Sequence, residues 1–398
     1  MKQNTSLLVG IIADDLTSAT DGAAAFLARG YAPMIKRQVD GAENAAIASI
    51  DTNSRASDIS QARKVTADAV SALSNAGLLF KTIDSTLRGH IRVEVAAAFR
   101  ASGRSRLVIA PAFPEAGRLT VGGIQTVNGI PVSQSVYGRD PVHPAGTSHI
   151  ANLVDPSLGI RIILAPDSSG DAATKGSILV LDSDSQDVLN RQVGSIPDPE
   201  TVLWVGSPGL AIALALLVPA VPDGRAVTGK AAGRVVIVAG SANPVTRVQC
   251  ETLRVQGVPV VTDLADAPGD ARVICLRAPL QRQENASAVT TNLAGQAAAA
   301  VARHDYDAVI ATGGETMAAI LDRLGISRFC LTRELEPGFP VGRAEREDGT
   351  SLTIAMKAGG FGSPSALLDA ACDLLAKPLS RKALIHDRPR RSSRRDHG

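Results

Sequence analysis

The stretch IIADDLTSATDGAAAFLARG, residues 11–30, opens as an apolar run and closes as an alanine-rich helical segment. An apolar run that passes directly into a helix reads as a strand buried on both faces and covered by the helix that follows, the unit of a parallel sheet. Two carboxylates, Asp14 and Asp15, sit at the join, with a third at Asp21. A turn from strand to helix needs one capping residue, and Thr17 or Ser18 can serve. The doubled charge therefore asks for another use.

The same unit recurs along the chain. Apolar runs at 78–84, 106–113, 177–184 and 201–209 each lead into Gly, Pro or Asp and then into an alanine-rich segment. After a Pro- and Gly-containing stretch at 218–233 the pattern restarts, with runs at 234–241, 271–278, 306–314 and 351–360. This predicts an α/β protein of two domains, each a mostly parallel sheet flanked by helices, with an active-site cleft between them. The expected division is 1–225, 226–378 and a basic, disordered tail at 379–398 that has no apolar periodicity. In such sheets ligands sit where the carboxyl ends of strands lead into helices, so functional residues are sought just after each run.

A chain of 398 residues with 45% hydrophobic and 20% charged residues has the composition of a globular protein of two domains. Aromatics at 3% and a net charge of +2 argue against nucleic acid as a partner. The four cysteines, Cys250, Cys275, Cys330 and Cys372, show no CxxC spacing and read as thiols of a reducing compartment. Neither a signal segment nor a membrane span is evident, so a cytoplasmic protein without a membrane partner is expected.

Four N-terminal segments collect polar residues at strand ends: 13–21, 51–55, 81–89 and a Pro/Gly-rich loop at 110–132. Lys81, Arg55, Arg88 and Arg118 are cations suited to a carboxylate, the guanidinium forks to two-point contacts. Asp14, Asp15 and Asp84, with Ser85, Thr86, Thr120 and Gln125 nearby, supply partners for hydroxyl groups. Both kinds together suit a small polyhydroxylated acid. Three clustered carboxylates could also hold Mg²⁺, although each alone could equally be a helix cap or a structural ion pair.

In the C-terminal half the turns after the runs are AGSANPVT (239–246), ATGGETMAAI (311–320) and KAGGFGSPSAL (357–367). Glycine lets the backbone approach phosphate oxygens, and the helix beyond supplies N–H groups and a favourable dipole. Three such loops in one domain point to nucleotide phosphates. Neither GxxxxGK[ST] nor a GxGxxG with a downstream acid is present, which excludes a P-loop and a dinucleotide fingerprint.

In this order ADDLTSATD, KTIDSTLRG, APAFPEAGRLTVGG, GSPGLA, ATGGETMAA and KAGGFG resemble the four-carbon acid sugar kinases, a family formerly catalogued as a domain of unknown function. The resemblance runs from about residue 8 to about 372. It implies an ATP-dependent kinase acting on the 4-hydroxyl of threonate, erythronate or 3-oxo-tetronate, with Mg²⁺. The acid sugar would bind the N-terminal domain and ATP the C-terminal one. Carried over by motif, Asp14, Asp15, Arg55, Lys81, Asp84, Ser85, Arg88 and Arg118 fall to the substrate, and of these Asp14, Asp15, Lys81 and Arg88 to catalysis. Ser241, Gly313, Gly314, Glu315, Thr316, Gly359 and Gly360 fall to the nucleotide.

Three positions depart from the family's pattern: Ser18 stands where Gly is usual, Asn243 in place of a Ser, and Ala358 in place of a Ser. A sugar-acid sensor that has lost catalysis, and an NAD(P)-dependent hydroxy-acid oxidoreductase, are the alternative readings. A homodimer is the expected oligomer on base rates.

Overall fold

The computed structural model describes residues 6–40, 45–140, 142–159, 161–165, 177–222, 231–241, 243–279, 286–303, 306–346 and 348–376. The expected basic tail at 379–398 lies outside them. The chain divides into two compact units, Met1–Gly229 with Gly325–Gly349, and Lys230–Leu324 with Thr350–Gly398.

In the first unit the strand order is Pro340–Glu345, Arg328–Glu334, Met34–Lys36, Ile47–Asp51, Val9–Ala13, Leu78–Thr82, Val202–Gly206, Arg106–Ala110, Ser177–Leu181, Arg161–Ala165. Every pairing from Met34–Lys36 onward is parallel. The six strands from Ile47–Asp51 to Ser177–Leu181 in that order are buried at every residue, as a sheet covered on both faces requires. Helix Leu16–Ala24 lies so close to this sheet that a Cβ on Gly22 would come within 2.7 Å of Thr82 Cγ2. Phe26, Phe80 and Trp204 are fully enclosed.

The chain enters at Val9–Ala13, adds Met34–Lys36 and Ile47–Asp51 on one side, then crosses to Leu78–Thr82 on the other. The carboxyl ends of Ile47–Asp51, Val9–Ala13 and Leu78–Thr82 therefore flank a topological switch point, where connections diverge and leave a crevice.

One expectation is corrected here. The stretch 110–132 is mostly a three-stranded antiparallel meander, Arg118–Val121, Ile124–Val127 and Ile130–Pro131. Its turns are Gly122–Gly123 and Asn128–Gly129, with φ of 59° and 70°, and 49° and 80°, the positive pairs that tight hairpins demand. Residues 325–349 group with the first unit. Arg328–Glu334 pairs antiparallel with Met34–Lys36 and buries Phe329 and Leu331.

The second unit is an all-parallel sheet in the order Val260–Val261, Val273–Arg277, Val235–Ala239, Ala308–Thr312, Ser351–Lys357. Its switch point lies at Val235–Ala239, from which the chain first builds one side and then the other. Among the described residues no helix is long and apolar enough to cross a membrane.

Candidate active site

Helix Leu16–Ala24 begins one residue after Asp15, which makes Asp15 the N-cap: its carboxylate accepts the Ser18 N–H at 2.7 Å. The cap is therefore not Thr17 or Ser18, which lie inside the first turn. Asp14, at the tip of Val9–Ala13, faces Arg55 from the neighbouring strand's loop. Arg55 Nε donates to Asp14 Oδ2 at 2.7 Å and Nη2 to Oδ1 at 2.9 Å. Its Nη1 pairs with Asp15 and its Nη2 also reaches Ser18 Oγ at 3.1 Å. Ser18, where the resembled family has Gly, thus supplies a side-chain acceptor.

The turn 84–89 follows Leu78–Thr82. Asp84 holds Arg88 through Nε at 2.6 Å and Nη2 at 3.2 Å, and accepts from Thr86 Oγ1 at 2.5 Å. Arg88 Nη1 lies 3.3 Å from Asp140, and its guanidinium is 5.4 Å from the centre of the Tyr137 ring. Arg118 Nη2 donates to the same Tyr137 hydroxyl at 3.4 Å. Gly89, with φ of 93°, brings the turn against the Asp14–Arg55 pair; a Cβ there would lie 3.3 Å from Asp14 Oδ2. Gln125 ties the meander to this turn, donating to Ser85 O at 2.9 Å and Pro111 O at 3.1 Å while accepting from Thr120. The structure thus brings Asp14, Asp15 and Arg55 together, and beside them Asp84, Arg88 and Arg118.

Lys81 is placed differently from its expected part in a substrate contact. Its side chain is fully enclosed, and the ammonium is held by Glu94 Oε2 at 2.9 Å and Thr82 O at 2.7 Å. Its charge reaches Asp14, whose carboxyl it lowers.

Burial opposes ionisation throughout, and the partners decide the outcome. Desolvation would raise Asp14, yet Arg55 and Lys81 bring its carboxyl below the ordinary value. Burial leaves Asp15 raised despite Arg55, with Asp14 adding to the effect. Asp84 is buried too, but Arg88, Arg55 and Thr86 hold it well below the usual carboxylate range. Asp21 is pushed well up by burial, with Glu334 and Asp15 adding like charge. Asp51, at the tip of Ile47–Asp51, is pushed up to about 7 by burial, against the Asn53 N–H at 2.9 Å and Arg37 at 3.9 Å.

The three carboxylates that could have held Mg²⁺ are engaged otherwise. Arginine forks hold Asp14, Asp15 and Asp84, and among the described residues no group of three or more His, Cys, Asp or Glu is placed to hold an ion.

In the second unit the three glycine loops leave neighbouring strands and touch one another. Ser241 N–H donates to Thr312 Oγ1 at 3.3 Å, Gly313 N–H to Lys357 O at 2.8 Å, and Thr246 Oγ1 to Gly359 O at 2.8 Å. Contacts are tight: a Cβ on Gly359 would meet Ser241 Oγ at 2.0 Å, and one on Gly240 would meet Thr316 Oγ1 at 2.1 Å. Asn243 caps helix Pro244–Val255 through Val245 N–H at 2.9 Å. Gly313, with φ of 95°, precedes helix Gly314–Arg323, whose first turn carries Glu315 and Thr316. Lys357 lies buried beneath the loop at 358–361 and donates to Phe361 O at 2.7 Å. Two helix N-termini and three glycine loops therefore share one sheet edge, a donor set that fits phosphate oxygens. A cavity of about 310 Å³ adjoins the first loop, lined by Ser241, Thr246, Cys250 and Arg277.

Two family models match the chain: a sugar-binding N-terminal domain over residues 9–214 and a nucleotide-binding C-terminal domain over residues 267–367. The chain is 32% identical to the D-threonate kinase of Bordetella bronchiseptica, over 91% of its own length and 96% of that protein. It is 27% identical to the 3-oxo-tetronate kinase of Brucella melitensis, over 91% and 94%. Its fold matches the crystal structure of a putative tRNA synthase from Salmonella typhimurium with a TM-score of 0.77, at 23% identity over 92% of this chain and 98% of that one.

Proposed function

The chain belongs to the four-carbon acid sugar kinase family, and from that membership we propose that it transfers the γ-phosphoryl group of ATP to the 4-hydroxyl of a four-carbon sugar acid. It is a phosphotransferase with an alcohol group as acceptor. One observation carries the finer reading. Arginines and carboxylates gather at the switch point of the unit matched by the sugar-binding model, and glycine loops at the sheet edge of the unit matched by the nucleotide-binding model.

The roles follow from the geometry. Arg55, Arg88 and Arg118 offer guanidinium donors for the substrate carboxylate. Asp14, kept ionised by Arg55 and Lys81, is a hydrogen-bond acceptor for a substrate hydroxyl, and Asp15 shares the Arg55 fork beside it. Backbone N–H groups of the loops bearing Ser241, Gly313, Gly314, Thr316, Gly359 and Gly360 would cradle the nucleotide phosphates, with Glu315 in the adjoining helical turn. When bound at these loops, ATP would supply the phosphoryl group and Mg²⁺ would neutralise charge on the phosphates. A loose transition state asks for alignment and charge neutralisation more than for a strong base. Four free cysteines fit a cytoplasmic setting.

The test is a coupled ADP-release assay with ATP and Mg²⁺ across both enantiomers of threonate and erythronate and the 3-oxo acid generated in situ. A single clear responder is expected. Silence with sugar-acid binding intact would replace the kinase by a sensor.

A further inference from the structure

Glu94 stands on helix Ile91–Ser102, away from every motif named above, and it is 1% exposed. One carboxylate oxygen accepts from the enclosed Lys81 ammonium at 2.9 Å, and the other accepts from Ser54 Oγ at 2.6 Å. Ser54 Oγ lies 2.8 Å from Thr52 Oγ1, which donates to Ala13 O at 2.7 Å. Thr52 N–H also donates to Ala13 O, and Arg55 N–H donates to Asp14 O at 3.1 Å. One glutamate thereby joins three things: the charge that lowers Asp14, the loop that carries Arg55, and the strand tip that carries Asp14.

Stability alone is a poor reason for this arrangement. Removing two opposite charges from water is costly, and well-packed apolar residues commonly replace a buried ion pair without loss of stability. What an apolar pair cannot supply is a fixed cation beside Asp14 and an acceptor that orders Ser54. We propose that Glu94 is a positioning residue for the acid-sugar half of the site: it locks the 52–55 loop, and with it the Arg55 fork, against Asp14 and Asp15. The consequence for turnover rests on the kinase reading; the consequence for the loop does not.

The test compares wild type with the double variant Lys81→Met/Glu94→Leu and with Glu94→Gln. Amide hydrogen exchange is followed at Thr52 and Arg55, alongside steady-state kinetics. In the double variant the two amides are expected to exchange about tenfold faster or more, as a loop released from its buried anchor opens locally. Its kcat/KM for the sugar acid is expected to fall about 10²-fold, while the KM for ATP stays within about twofold. Glu94→Gln keeps an oxygen acceptor for Ser54 but strands the enclosed Lys81 ammonium and is expected to be the least stable of the three. Lys81→Met/Glu94→Gln, which keeps that acceptor without a stranded charge, is expected to fall between wild type and the apolar double variant and carries the same two readouts should the latter fail to fold. A wild-type value in either readout overturns the proposal. A wild-type enzyme silent on every four-carbon sugar acid would instead refute the kinase reading, and the exchange experiment alone would then decide whether Glu94 holds the loop.

Discussion

Arg55 and Asp14 are joined by two parallel hydrogen bonds, 2.7 and 2.9 Å, across the tips of two neighbouring parallel strands. Asp14 is almost fully buried, and Asp15 leans on the same guanidinium. Removing the arginine leaves buried charge without compensation, whereas a pair exposed to water would cost little. Arg55→Ala is therefore expected to cost about 3–5 kcal/mol in urea unfolding, as for other broken buried pairs. Arg55→Lys keeps the charge and loses the fork, so it is expected to recover stability in part without restoring sugar-acid turnover.

Asp51 gives the pH dependence a definite sign. Its folded pKa, about 7, lies above the value of an unfolded aspartate, so the folded chain binds this proton more tightly. Stability from this group is full below about pH 4 and is lost as pH rises to about 7. Asp84 runs the opposite way: held well below the usual range, it stabilises above its unfolded pKa and that contribution is lost in acid. Asp51→Asn keeps an oxygen to accept the Asn53 N–H and removes the charge. At pH 8 it is expected to unfold at higher urea than wild type, by up to about 4 kcal/mol, with the difference gone near pH 4. An equal difference at both pH values would place the titration elsewhere.

Residues 7–15, 78–84 and 351–360 show why so much of the fold was legible in sequence. Strands buried on both faces must be apolar throughout, and chemistry gathers where such runs end. What escaped has physical causes too. Arg328–Glu334 alternates between inward and outward residues, because it lies in an antiparallel hairpin, and its partner Met34–Lys36 is only three residues long. No local pattern announces a pairing across nearly 300 residues. The meander was signalled, by Gly122–Gly123 and Asn128–Gly129, but Pro and Gly around it read as loop. Asp15 as the cap turned on where the helix begins, which shifts by a residue or two in any reading. Glu94 left one trace: a glutamate on the face that Ile91, Val95 and Ala98 bury, where an acid stands only with a partner.

Gln125 offers a test of how the meander supports the turn at 84–89. Completely buried, it serves Ser85 O, Pro111 O and Thr120 Oγ1 at once. Gln125→Leu leaves two carbonyls and a hydroxyl without this partner, at an expected cost of about 2–4 kcal/mol. Because Ser85 adjoins the Asp84–Arg88 pair, the sugar-acid KM is expected to rise with it, while ATP binding measured by calorimetry stays at the wild-type value. A rise in both would mean that the effect is general loosening.

Gly359→Ala makes the matching test in the nucleotide-binding unit. The new methyl would fall 2.0 Å from Ser241 Oγ, well inside van der Waals contact, on a residue whose carbonyl is tied to Thr246. Rotating the hydroxyl gives up the Asn243 N–H it accepts at 3.2 Å and still leaves Ser241 Cβ 2.4 Å from the methyl, so the first loop must move if the third does not. A shift of about 1 Å in a phosphate-binding loop is enough to cost about 10²-fold in rate. The variant is expected to show that loss in kcat/KM for ATP, with sugar-acid binding unchanged by calorimetry in the absence of nucleotide. Only glycine at 241 relieves it: Ser241→Gly in the same chain removes both the oxygen and the Cβ, which would lie 2.4 Å from the new methyl, and is expected to restore part of the activity. Full activity in Gly359→Ala would mean that these loops do not carry the phosphates, and the nucleotide would have to be sought elsewhere in the unit.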